Sequence, residues 1–215
     1  MKSKDYHDYV IKNGKFIGKF EEMYQNVEDP WHHRDATAIP YDLALYLLER
    51  YEICTNGGEV FDIGCGKGAF TARLKRKLPK AKILAIDIAP TAIKKAKKKY
   101  EKLGINFKVM DIQKEYRNIT EKFDLILVSQ LMWYILPKFQ EIMRYLVKNA
   151  LKKWLVISKS AFYKPGEQKY GKEIVQTPED MISLINLKPS EMIEINRLSN
   201  HGAVILFKRK QNGKN

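Results

Sequence analysis

Residues 60–68 read VFDIGCGKG, an apolar run that carries Asp62 and then breaks into three glycines, Gly64, Gly66 and Gly68. Glycine lets the chain bend sharply and lets a ligand approach the backbone where a Cβ would collide. A bend of this kind after a strand lies where open α/β sheets bind their ligands, at the carboxyl end of the strand. Gly64, Cys65 and Gly66 are therefore the expected backbone contacts. Asp62, two positions before the bend, is expected to order it, and its carboxylate can also accept the amides of the turn. The dinucleotide pattern GxGxxG would use a similar turn, but GCGKGAF lacks the third glycine at the required spacing, which weakens a hydride-transfer reading.

Further acids sit at the ends of later apolar runs. Asp87, in AIDIAP, follows Gly68 by 19 positions, the separation at which an acid in such folds accepts both hydroxyls of a ribose. It stands too far from the next helix for ordinary capping, for which Thr91 is the better candidate. Ile88 is then placed to cover one face of an adenine ring. INFKVMDI ends in Asp111 and Ile112, and an acid at a strand end is often only a turn former. FDLILVSQ ends in Ser129 and Gln130, which would lie beside the same ligand and open toward its partner in the reaction.

These positions need a frame. From residue 41 onward, short β-rich runs alternate with helical periods, the mark of βαβ units and a parallel sheet. The expected strands are 59–64, 82–88, 105–112, 123–130 and 153–160. AFTARLKRKL and YDLALYLLERY read as helices, and 139–151 carries Phe139, Ile142, Met143, Leu146, Val147 and Ala150 on one stripe. Thr177 before Pro178 and Asp180 marks a helix start, with the helix running to about Leu187. MIEINRLS and AVILFKRK alternate in period two around Asn200-His201-Gly202, an antiparallel hairpin. The expected fold is α/β and Rossmann-like: seven strands, mostly parallel, with helices on both faces and a C-terminal antiparallel hairpin. Residues 1–40, aromatic and charged but without a sustained period, read as a cap on a 41–210 core within a single domain, 1–215.

This order of elements, with DxGxGxG present in full as DIGCGKG, resembles the class I S-adenosylmethionine-dependent methyltransferases over about residues 41–210. The resemblance implies methyl transfer from S-adenosylmethionine, with S-adenosylhomocysteine as product. It implies that Asp62 meets the amino group of the methionine part, Asp87 the ribose, and Asp111 with the Ile112 amide the adenine. FEEMYQNVEDPW before the core and SQLMWYIL after the fourth strand are similar to the nodulation-type N-methyltransferases and related sugar methyltransferases. That narrower resemblance implies that Trp31 closes the cofactor pocket and that Trp133 and Tyr134 border the acceptor. Gln130 departs from it, because those relatives tend to have an acid there, so no acidic base is carried over to this position.

Methyl transfer is an in-line displacement that needs no metal and no covalent intermediate. An amine acceptor must be neutral and a hydroxyl gains from a base, so the histidines, His7, His32, His33 and His201, are the candidates. His33 and His32, in EDPWHHRD, are preferred, with Tyr134 beside the acceptor. The competing account makes the aromatics ordinary core and the histidines turn residues. SAFYKPGEQKYGKEIVQ is long enough for a lid, and Phe162, Tyr163 and Tyr170 are expected at the acceptor pocket.

The net charge of +14 suits nucleic acid, anionic lipid or a phosphorylated small molecule equally. Much of it lies in TAIKKAKKKYEKLG, where Ile93, Ala96, Tyr100 and Leu103 leave the lysines on the opposite side, read as a solvated face in preference to a binding patch. RNA methylation is the competing enzyme reading, although SQLMWYIL lacks the Asn/Asp-Pro-Pro-aromatic motif that holds a flipped base and no RNP1 pattern is present. A non-catalytic cofactor-binding scaffold is the reading outside enzymes. Two cysteines exclude a disulfide framework, and their spacing does not make a zinc site. With no apolar run of ~18 residues and no h-region after the basic N-terminus, a soluble, cytoplasmic protein with a small-molecule or saccharide substrate is expected.

Overall fold

The computed structural model describes residues 6–31, 39–162, 168–196 and 201–210. The chain enters through a small hairpin, β1 (Ile11–Lys12) and β2 (Lys15–Phe16). Asn13 and Gly14 between them both have positive φ, 51° and 75°, which is the two-residue turn that suits the twist of paired strands. Helix α1 (Phe20–Asn26) follows, and α2 (Ile39–Arg50) leads into the core.

Then β and α alternate: β3 (Gly58–Ile63), α3 (Ala69–Lys77), β4 (Ala81–Asp87), α4 (Pro90–Tyr100), β5 (Asn106–Val109) and α5 (Ile112–Glu115). They continue with β6 (Phe123–Ser129), α6 (Leu136–Asn149), β7 (Leu151–Phe162) and α7 (Pro178–Ser183). The chain closes on β8 (Pro189–Asn196) and β9 (His201–Lys208). Among the described residues seven strands form one sheet in the order β5-β4-β3-β6-β7-β9-β8, with only β9 antiparallel to its neighbours.

Side-chain alternation explains why this sheet is covered twice. Phe61, Ile63, Ile126, Val128, Leu155 and Ile157 point to one face, where α6 packs Phe139, Ile142, Met143 and Leu146 against them. Val60, Leu125, Leu127, Trp154 and Val156 point to the other, under α2, α3 and α4. Period two in the strands and a one-sided stripe in the helices thus produce a three-layer sandwich. The chain winds from β3 outward to β5 and then returns to β6, so the order reverses between β3 and β6, the position at which such sheets open a crevice.

The expected strands are present with ends moved by up to three residues. Three local expectations are corrected. The helix after Thr177 has its full capping box with Asp180 but ends at Ser183 instead of Leu187. His201 and Gly202 belong to β9, paired with Asn196 and Ile195, and not to a turn; residues 197–200 lie outside the described residues. Helix α4 begins at Pro90 with Ala89 at its cap position, which places Thr91 inside the first turn. Among the described residues no helix is long and apolar enough to cross a membrane.

Candidate active site

The glycine bend is held against β4. The amides of Gly64 and Cys65 both donate to the Ile86 carbonyl, at 2.8 and 2.9 Å, and Gly68 N closes the turn on Cys65 O at 2.9 Å. Gly64, Gly66 and Gly68 have φ of 81°, 54° and 75°, a region that side chains with a Cβ resist. Space adds to the constraint: a Cβ on Gly66 would stand 2.8 Å from the Tyr24 hydroxyl, and one on Gly64 would stand 2.9 Å from Leu131.

Asp87 ties this bend to the end of β4. Its Oδ2 accepts the Gly66 amide and its Oδ1 the Ala89 amide, each at 2.9 Å. Only 9% exposed, the carboxyl is pushed up to about 6 by burial, against the pull of those two amides. Beneath it Asp62, 2% exposed, accepts the Thr71 hydroxyl at 2.6 Å, and burial lifts its carboxyl to about 6 as well. Asp62 therefore pins α3 to β3 directly under the bend.

The bend, the ends of β4, β5 and β6 and the N-terminal segment enclose a cavity of about 550 Å³. Asp87, Ile88, Asp111, Ile112, Ser129 and Gln130 line it, as do Gly64, Cys65 and Gly66. Asp111 caps the short α5 by accepting Gln113 N at 3.0 Å, and Ser129 Oγ is buried with no hydrogen-bond partner among the described residues. Gln130 takes a φ of 58° while its amide donates to Ser158 O at 2.7 Å, an uncommon backbone state for a side chain of this size. The Cys65 thiol, desolvated and near Asp87 and Asp62, is held well above its ordinary range.

The N-terminal segment supplies the aromatic wall. Tyr134 meets Phe20 edge-on and Trp31 at a tilt, both with centroids 5.4 Å apart, and Trp31 Nε1 donates to the Tyr24 hydroxyl at 2.9 Å. Glu21 on α1 accepts the Thr91 amide and hydroxyl at 2.9 and 2.6 Å, supplying from another element the cap that α4 lacks. Lys95 Nζ reaches Tyr24 O at 2.6 Å, and Lys67 Nζ, on the bend itself, reaches Glu28 O.

Several residues singled out from the sequence lie elsewhere. Asp62 is not among the lining residues and acts from below. Trp133 is buried in the core beside Gly171 and Leu136 and does not line the cavity, because the short helical turn Met132–Tyr134 sends Tyr134 outward and Trp133 inward. Tyr170 stacks on Phe16 at 5.9 Å, and Phe16 in turn lies 6.1 Å from Phe20, so Tyr170 stands two rings back from the wall. His32, His33 and Tyr163 lie outside the described residues, as do the side chains of His7, Phe162 and His201. Sequence reasoning passed over Tyr24, Tyr41, Phe70, Lys67, Lys95 and Lys99, all of which line the cavity. For Lys95 and Lys99, four apart on a basic helix, the spacing alone put them on one side.

The cavity fits an adenosine-bearing sulfonium. A backbone cradle that a Cβ would fill, a buried carboxylate with lone pairs left over from its two amides, and an orphaned serine hydroxyl are features that such a ligand satisfies. Comparison with known proteins agrees in kind. Residues 55–200 match a family model described as a methyltransferase domain. Malonyl-[acyl-carrier protein] O-methyltransferase of Acetivibrio thermocellus is 36% identical over 69 residues, 32% of this chain but only 24% of that protein. The chain thus spans about a quarter of that curated relative's length. The N-methyltransferase NodS of Bradyrhizobium japonicum, solved with S-adenosyl-L-homocysteine, superposes with a TM-score of 0.70 at 20% identity, covering 93% of this chain and 100% of that one. Magnesium protoporphyrin IX methyltransferase of Synechocystis, solved with bound S-adenosylmethionine, gives 0.65 at 15% identity over the same shares, 93% and 100%. The two structural likenesses establish the fold.

Proposed function

The chain belongs to the methyltransferase family that this domain defines, and on that premise we propose that it transfers the methyl group of S-adenosylmethionine to a small-molecule acceptor, leaving S-adenosylhomocysteine. The observation that carries the reading is the convergence of the glycine bend and the Asp87 carboxylate on one cavity of about 550 Å³. Ligand pockets range over roughly 300–1,000 Å³, so one cofactor and the reacting part of an acceptor suffice to fill it.

In this reading Asp87 accepts the ribose hydroxyls with its remaining lone pairs, and Ile88 covers a face of the adenine. Asp111 and the Ile112 amide take the adenine edge. Gly64, Cys65, Gly66, Ser129 and Gln130 flank the methionine part, and Asp62 holds the bend in shape through Thr71. Trp31 closes the pocket. When bound, S-adenosylmethionine supplies an electrophilic methyl carbon on a sulfonium. The chain's task is to hold an acceptor atom ~3–3.5 Å from that carbon and on its far side. His33 or His32 takes the acceptor's proton, and Tyr134 borders the acceptor.

Phe20, Trp31 and Tyr134 offer flat apolar faces at one side of the cavity, which suit the face of a sugar ring. An amino sugar or glycan precursor is therefore the proposed acceptor, in a cytoplasmic setting, with residues 1–40 as a cap on one methyltransferase domain. RNA is the second reading, favoured by the net charge of +14. Incubation with methyl-labelled donor and, separately, amino sugars, malonyl thioesters and RNA distinguishes these classes. Label on amino sugars alone is the expected result; label on RNA alone overturns the acceptor assignment, and label on none leaves the scaffold reading. For His33→Ala, turnover falls while donor affinity stays near normal; full activity in that variant removes His33 as the base.

A further inference from the structure

Tyr24 is the polar group of the cavity wall whose chemistry is half complete. It sits on α1, 3% exposed, and its hydroxyl oxygen accepts the indole N–H of Trp31 at 2.9 Å. Its own O–H donates to no acceptor among the described residues. The hydroxyl faces the cavity across Gly66, 2.8 Å from the point where a Cβ on that residue would stand. A buried phenol with an unspent proton is costly unless a ligand takes that proton. Accepting from Trp31 also polarises the O–H and makes it a stronger donor. Burial first, and the charge of Asp87 next, hold the phenol well above its ordinary range, so the proton stays in place to be donated.

We propose that the Tyr24 hydroxyl binds the α-carboxylate of the methionine part of the cofactor, so that the N-terminal segment, and not the sheet alone, recognises the amino-acid end of the ligand. The assignment rests on the cofactor reading above and deepens it. Asp87 and Asp111, at the ends of β4 and β5, are acceptors and suit the ribose hydroxyls and the adenine amino group. A donor over Gly66 needs an acceptor oxygen, and the carboxylate is the charged acceptor that such a ligand carries. Gly66 is required here for a related reason: a Cβ on it would stand 2.8 Å from the phenol oxygen and push the hydroxyl away from the bend.

The test is calorimetric and needs no turnover. S-adenosylhomocysteine carries the carboxylate, whereas 5′-methylthioadenosine keeps the adenosine and the sulfur and lacks the amino-acid part. Tyr24→Phe retains the ring and removes only the hydroxyl. The expected result is a loss of about tenfold or more in affinity for S-adenosylhomocysteine, with 5′-methylthioadenosine bound within about twofold of wild type. Retained binding of the second ligand also shows that the variant's pocket is folded. Equal losses for both ligands assign Tyr24 to the nucleoside or to packing and overturn the proposal, and so does an unchanged affinity for S-adenosylhomocysteine. If the wild-type chain binds neither compound, the cofactor reading itself has failed, an outcome distinct from either of these.

Discussion

Two carboxyls removed from water lie one above the other at the glycine bend, and burial holds both near 6, about two units above the ordinary value for aspartate. The folded chain therefore keeps these protons longer than the unfolded chain does. The stability they contribute is fully present below about pH 4 and is lost as the pH rises through about 6. Ligand binding runs the other way, because ribose hydroxyls donate best to an ionised Asp87. Affinity for S-adenosylhomocysteine is expected to be flat above pH 7 and to fall up to about tenfold per unit below 6. Asp87→Asn should be weaker by about tenfold or more at pH 7.5 and should lose that slope; a wild-type profile flat down to pH 5 refutes the ribose assignment. Thr71→Val leaves Asp62 without its hydroxyl. At pH 7.5, where Asp62 is charged, unfolding should become easier by about 1.5–3 kcal/mol, and by less at pH 5, where the carboxyl is neutral. Equal losses at the two pH values, read from urea titrations, would show that the hydroxyl matters only for packing.

At the scale of elements, the N-terminal segment is a guest on α4. It is fixed by Glu21 to Thr91 and by Lys95 to the Tyr24 carbonyl, while Met23 and Tyr24 pack on Ala89 and Ala92. Glu21→Ala removes the cap of α4 and one tether of the segment together. A loss of about 1–2 kcal/mol in stability is expected, with faster proteolytic cleavage between residues 20 and 31; an unchanged cleavage rate would show that apolar packing alone holds the segment. Little of this could be read from the sequence. The strands were legible because each apolar run had two faces to fill, and the bend because glycine adopts its φ angles far more readily than residues with a Cβ. Asp87 was legible from its distance to that bend. Tyr24 was not, because its contact with Gly66 joins residues 42 positions apart through packing that leaves no local period. Trp133 and Tyr134 shared one sequence cue, and only the handedness of the turn at Met132–Tyr134 decided which ring met the core. Helix α7 stops short of Leu187 although Leu184, Ile185 and Leu187 continue its apolar rhythm, because those residues pack against the core from turns and not from a helix.

The net charge of the whole molecule, +14, is where the two acceptor readings part. On α4 the exposed Lys94, Lys97 and Lys98, with Lys102 just beyond it, make no ion pair among the described residues, whereas Lys77, Lys82 and Lys152 pair with Glu49, Glu59 and Asp124. None of these four α4-side lysines lines the cavity. If the face is merely solvated, it sets solubility and weak steering, and its removal is invisible to a neutral small acceptor. If the acceptor is RNA, each lysine that neutralises a phosphate contributes close to one counterion to the salt dependence of binding. The variant Lys94→Gln, Lys97→Gln, Lys98→Gln, Lys102→Gln is expected to bind S-adenosylhomocysteine and to turn over the small acceptor within about twofold of wild type at moderate salt. A large loss of turnover on that acceptor, with donor binding intact, would mean that the face guides an anionic substrate. The saccharide reading would then have to give way to one in which charge, not ring stacking, selects the acceptor.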